Sequence, residues 1–133
     1  MYGEGGRSRT KKLGQPRPGL GRLALESGVP VTPVAIHGSE HVRELRFPKV
    51  TIQYGRPLLF EKVERPDRDQ CERASQLVFD RIHEMYEALR EHGRQGVLRR
   101  RRELQRKGEL ETKPVLVRVE RSERASDEPL KVA

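Results

Sequence analysis

At 133 residues the chain is long enough for one domain and too short for two of ordinary size; with 33% apolar and 36% charged residues and no Trp, its core must be lean. Its net charge of +8 sits at the ends: residues 1–28 carry six Lys/Arg against two acids, residues 94–133 twelve against seven, and residues 29–93 ten against eleven. A near-neutral middle with basic ends points to an anionic partner, a single cysteine (Cys71) excludes an internal disulfide, and no apolar run approaches the ~18–20 residues of a spanning helix.

Residues 1–17 read as loop, dense in glycine, basic residues and proline. A short helix is expected over Pro18–Ser27, because proline suits a first helical turn, Leu20, Leu23, Ala24 and Ser27 share a face, and Gly28 terminates well. The run Val29 to Gly38 (VPVTPVAIHG) has the β-branched density of a buried strand in a parallel or mixed sheet. Pro30 and Pro33 restrict it to a strand start, an edge or a bulge. Lys49 to Gly55 alternates as a half-buried strand, and Leu58 to Phe60 adds a short one.

From Pro66 to about Glu91 the period is helical, with Ala74, Leu77, Val78, Ile82, Met85 and Leu89 on the apolar face and His92-Gly93 as its end. Beyond Gly96, Val115, Val117 and Val119 alternate in the manner of an edge strand. The composition there nevertheless favours a weakly ordered, flexible basic extension over residues 94–133, with the domain boundary near Gly93 to Gly96.

Three motif matches fail on context. Gly19-Leu20-Gly21-Arg22-Leu23-Ala24 spells the dinucleotide fingerprint, but that fingerprint needs a strand directly before it, and Gly14-Gln15-Pro16-Arg17-Pro18 cannot supply one. His37-Gly38-Ser39-Glu40-His41 spells an inverted zinc-peptidase signature. Zinc chemistry would need both imidazoles on one helix face, whereas Gly38 and Ser39 read as a turn. The run Arg99 to Arg102 attracts phosphates without sequence specificity, yet it lacks the aromatic interleaving of a nucleic-acid surface and sits in no DNA- or RNA-binding signature. Near a lipid enzyme the same run would meet anionic headgroups.

The stretch Gly3-Glu4-Gly5-Gly6-Arg7-Ser8 suits an oxyanion. Backbone N–H groups of a glycine turn form an anion-binding concavity, and a guanidinium chelates phosphate with its planar fork. Glu4 would orient Arg7 or accept hydrogen bonds from a polyol.

This stretch, the Gly-x-x-x-Leu-Ala pattern at Gly19–Ala24 and the later Val29-Pro30-Val31-Thr32-Pro33-Val34 together resemble the second half of the glycerolipid acyltransferase family, whose type member is 1-acyl-sn-glycerol-3-phosphate acyltransferase. Tyr2 and Gly3 stand where that family has Phe-Pro; Glu4 and Gly5 match, Gly6 replaces Thr, and Arg7 and Ser8 match. Val29, Pro30, Val31 and Pro33 match the strand block, and the resemblance runs from about Tyr2 to Leu89.

The resemblance implies an α/β fold, here a partial mixed sheet with flanking helices, over residues 1–93. It implies transfer of an acyl group from acyl-CoA or acyl-carrier protein to a lysophospholipid acceptor in phospholipid biosynthesis, with no cofactor. Glu4, Gly5, Gly6, Arg7 and Ser8 would hold the acceptor's glycerol phosphate, and the strand block would shape the substrate site. The family's His-x-x-x-x-Asp motif, in which His acts as base on the acceptor hydroxyl, has no counterpart: five residues after His37, His41, His83 and His92 stand Val42, Arg46, Ala88 and Val97.

The expectation is therefore a fragment: the C-terminal half of a cytoplasmic enzyme lying peripherally at the inner membrane face, inactive by itself. The alternative expectation is a free-standing, non-catalytic basic protein that binds phosphate, an anionic membrane or nucleic acid.

Overall fold

The computed structural model describes residues 14–39 and 49–121. Helix α1 spans Pro18–Ser27, as its sequence signals predict. Pro18 occupies the first turn, where its missing N–H costs nothing, and Gly28 closes the helix at φ 63°, its N–H donating to the Ala24 carbonyl at 3.1 Å. Its buried face is Gly21, Ala24 and Leu25.

Strand β1 (Val34–His37) pairs antiparallel with β2 (Thr51–Tyr54), placing Val34 opposite Tyr54 and Ile36 opposite Ile52. Strand β3 (Leu58–Phe60) then leads to helix α2 (Arg68–Arg106), and the chain returns as β4 (Val115–Val117), parallel to β3. A single antiparallel bridge joins the two sheets: Val31 and Leu58 exchange N–H···O=C bonds of 2.8 Å each. Among the described residues the fold is thus a partial α/β arrangement of helices and two two-stranded sheets.

The core lies where α1, β3, β4 and the first part of α2 meet, around Leu25, Leu58, Phe60, Ala74, Val78 and Val119. Fully burying a side chain such as Leu25 or Phe60 stabilises by about 1.5–3 kcal/mol. Helix α2 starts at a complete capping box: Asp67 accepts from the Gln70 backbone N–H at 2.7 Å while the Gln70 side chain accepts from the Asp67 N–H at 3.1 Å. The Gln70 amide also donates to the Val119 carbonyl at 3.0 Å, so one residue both caps the helix and ties down the chain after β4.

Where α1 crosses α2, a Cβ on Gly21 would stand 2.0 Å from the Cys71 carbonyl oxygen, so only glycine fits. The buried Ser75 hydroxyl accepts from the Gly21 N–H and donates to the Arg17 carbonyl, both at 2.8 Å. It thereby bridges the two groups that would otherwise close the first α-helical hydrogen bond of α1.

Four expectations are corrected. The run Val29 to Gly38 is not one buried strand. Regular pairing is confined to Val34–His37 with an isolated bridge at Val31, because Pro30 and Pro33 offer no N–H to a ladder. Leu77 lies outside the apolar face and is 42% exposed, whereas Cys71, Ser75 and Phe79 are buried. At about 100° per residue, Leu77 falls about 60° from Ala74 and about 100–120° from Val78 and Leu89, at the margin of the stripe.

Gly93 does interrupt the long helix, at φ 61° and ψ 178°, but helix resumes and runs to Arg106. Leu, Arg, Gln and Glu are all good helix formers, so local propensity carries a segment whose charge suggested disorder. Finally, residues 94–121 are not uniformly a weakly ordered, flexible extension: β4 pairs with β3 and Val119 is buried in the core, as the valine alternation anticipated.

Candidate functional site

Glu4, Gly5, Gly6, Arg7 and Ser8 lie outside the described residues, so the site is built here from its strand block and the surfaces around it. That block follows the αL residue Gly28, which turns the chain out of α1. Val29 and Pro30 face solvent, Val29 at 55% exposure. Val31 is half-buried and committed to Leu58 through its two backbone bonds.

Pro33 is fully buried, and its carbonyl accepts from the Gly55 N–H at 2.8 Å. A Cβ on Gly55 would come within 2.8 Å of the Pro33 ring and 2.9 Å of the Met85 sulfur, so this corner is closely packed. The four strand residues therefore divide into an exposed pair, Val29 and Pro30, and an inner pair, Val31 and Pro33, that anchors them.

The strand they lead into has two unlike faces. Ala35 is buried towards α2, and the His37 ring lies 5.5 Å from that of Tyr86 on α2, tilted by 55°. The other face stays open: Ile36 pairs with Ile52 and Val34 with Tyr54, and of these Ile36, Ile52 and Tyr54 are exposed, Tyr54 at 68%. Aliphatic and aromatic side chains paired across two strands make a continuous apolar surface, of the kind that marks a ligand or partner. On β2, the buried Gln53 Oε1 has no hydrogen-bond partner among the described residues.

The motifs set aside from sequence find structural employment. Gly19 to Ala24 lie within α1, preceded by irregular chain rather than a strand, and Gly21 serves the contact with α2. His37 belongs to β1, while Glu40 and His41 fall outside the described residues. No group of three or more His, Cys, Asp or Glu that could hold a metal ion occurs among the described residues.

A cleft of about 500 Å³ opens beside Gly14, Pro16 and Pro18, against Glu72, Gln76 and Phe79 of α2. Its one ionised side chain, Glu72, has the wrong sign for a phosphate and is engaged by Arg68 at 2.7 Å. The Cys71 thiol is buried, and desolvation pushes its pKa above the ordinary thiol value, so it has none of the thiolate character of a nucleophile.

Sequence reading missed Ser75 and Gln70, whose buried polar groups organise the helix starts. Nothing local distinguishes them from surface polar residues; only the approach of α1 and of the chain after β4 does. Among the described residues, no helix is long and apolar enough to cross a membrane. Compared with known proteins, the chain matches no family model, no curated protein and no solved structure.

Proposed function

We propose that this chain is the acceptor-binding part of a glycerolipid acyltransferase, recognising a lysophospholipid that receives an acyl group from acyl-CoA or acyl-carrier protein. The observation that carries the reading is an ordered combination. A glycine-rich stretch with Arg7 is followed by a helix that opens with proline, a glycine turn and the strand block Val29 to Pro33. Arg7 would grip the acceptor's phosphate in a bidentate, charge-assisted pair, with Glu4 orienting it, the Gly5 and Gly6 amides contributing backbone donors and Ser8 a hydroxyl.

The exposed Ile36, Ile52 and Tyr54, one step along the chain from the strand block, supply an apolar surface suited to a hydrocarbon chain. No His in the chain stands five residues before an Asp, so no acid-base pair of the family's type is available to deprotonate an acceptor hydroxyl. Binding without turnover is the activity assigned to these 133 residues.

The test is equilibrium binding of lysophosphatidate, with lysophosphatidylcholine as the ligand that lacks an exposed phosphate monoester. Arg7→Ala is expected to weaken lysophosphatidate binding by roughly 10- to 100-fold, the worth of a charged hydrogen-bonded pair. Equal binding by both proteins would remove Arg7 from the site. Acyl transfer from acyl-CoA by the chain alone, abolished by Arg7→Ala, would overturn the assignment of binding without chemistry.

A further inference from the structure

Helix α2 continues past Gly93 into a stretch whose charge the rest of the fold does not use. Residues 94–107 hold seven Lys/Arg against the single acid Glu103. Several arginines elsewhere are matched: Arg22 pairs with Glu26, Arg68 with Glu72, and Arg118 with Glu61. Among the described residues, no ion pair or side-chain hydrogen bond engages Arg94, Arg99, Arg100, Arg101, Arg102 or Arg106.

Helical geometry sorts these side chains. At about 3.6 residues per turn, Val97 and Leu104 share one side, and both are half-buried. Arg99, Arg102 and Arg106 share the opposite side, all exposed, in a row about 10 Å long. Gly93 sets the direction of this arm. Its φ of 61° with ψ of 178° is a backbone state that essentially only glycine adopts, and a Cβ there would meet nothing within 4 Å.

We propose that the row Arg99, Arg102 and Arg106 docks the protein on an anionic lipid bilayer. The guanidiniums would lie among the headgroup phosphates, while the half-buried side of the arm stays turned to the protein. Charge complementarity requires an anionic surface and no deep insertion, which agrees with an arm whose outer face is cationic and not apolar. No Phe, Tyr or Trp follows Tyr86 in the sequence, so the arm after Gly93 offers no aromatic platform for stacking bases. The choice of a bilayer over a nucleic acid also rests on the lipid substrate proposed above.

The test is co-sedimentation of the full chain with phosphatidylcholine vesicles, with and without phosphatidylglycerol. Binding only to the anionic vesicles, weakening steeply with salt, is expected. Replacing Arg99, Arg102 and Arg106 by Gln should lower partitioning by roughly 100-fold, about fivefold per charge, with helicity by circular dichroism unchanged. Replacement of the same three by Lys should keep binding within a few fold, because point charges suffice.

The proposal is overturned if the Gln variant binds as wild type, if neutral vesicles retain the chain equally, or if duplex DNA binds through these arginines while anionic vesicles do not. Submicellar short-chain lysophosphatidate separates the two readings. Loss of its Arg7-dependent binding, with vesicle docking intact, would defeat the acceptor site and leave the docking surface standing.

Discussion

The two arms of α2, before and after Gly93, are both helical for different reasons. The first, residues 68–92, carries four arginines against six acids and lays Ala74, Val78 and Leu89 into the core. Its surface charges are spent locally: Arg68 on Glu72, Arg81 on Glu84, Arg90 on Glu87. Such exposed pairs contribute a few tenths of a kcal/mol each, so packing and the Asp67 cap hold this arm. The second, residues 94–106, buries no side chain fully and has almost no acids to pair with. It is helical because its residues prefer helix. A helix held by packing builds the fold, whereas one held by propensity leaves its side chains free for a partner.

The comparison can be broken by substitution. Leu89→Ala, in the packed arm, should cost about 2–5 kcal/mol in urea unfolding, and Leu104→Ala, in the free arm, well under about 1 kcal/mol. Equal costs would show that the second arm is packed as tightly as the first.

Gly21→Ala should destabilise by about 1–3 kcal/mol or more, because its methyl would meet the Cys71 carbonyl and α1 would have to move off α2. A wild-type unfolding midpoint in that variant would mean that the crossing can relax freely. Asp67→Ala removes half of the capping box and should cost about 1 kcal/mol, measured the same way.

A smaller effect concerns pH. Cys71 titrates above its ordinary value in the folded chain, so the unfolded chain releases its proton first. The stability that the buried thiol contributes is complete below the unfolded thiol value, about 8.5, and falls as pH rises from there through the folded value. Cys71→Ser should reduce that alkaline loss, and maleimide should label Cys71 quickly only after denaturation. The smallest effect is expected from Gln at positions 99, 102 and 106, within about 0.5 kcal/mol of wild type. A large loss there would assign those arginines to the fold.

Much of the local structure was legible. Pro18 and Gly28 bracket α1, and Leu58 to Phe60 forms the short strand that its composition indicated. Gly93 interrupts the helix where its end was expected, although helix resumes beyond it. Leu77 was misplaced because a run of three- and four-residue steps can drift off a stripe, and only the neighbouring elements show which side is covered. The stretch Glu4 to Ser8, proposed to bind the acceptor, was legible only as chemistry, a glycine-rich run with a guanidinium, and lies outside the described residues. For the strand block, residue type did not reveal that Val31 and Pro33 are structural while Val29 and Pro30 are exposed. That division depends on Leu58 and Gly55, more than twenty residues away.

By itself, then, the sequence determined where helices start and stop, where proline forbids a ladder, and where unpaired positive charge accumulates. These are properties of a residue and its near neighbours, governed by backbone sterics, hydrogen-bond supply and charge spacing. Only the tertiary structure decided that β4 runs parallel to β3 and that Val119 joins the core. It also decided that the Ser75 hydroxyl completes the first turn of α1. Each of these joins residues about 50 or more positions apart, and burial at such a distance is settled by what packs against what.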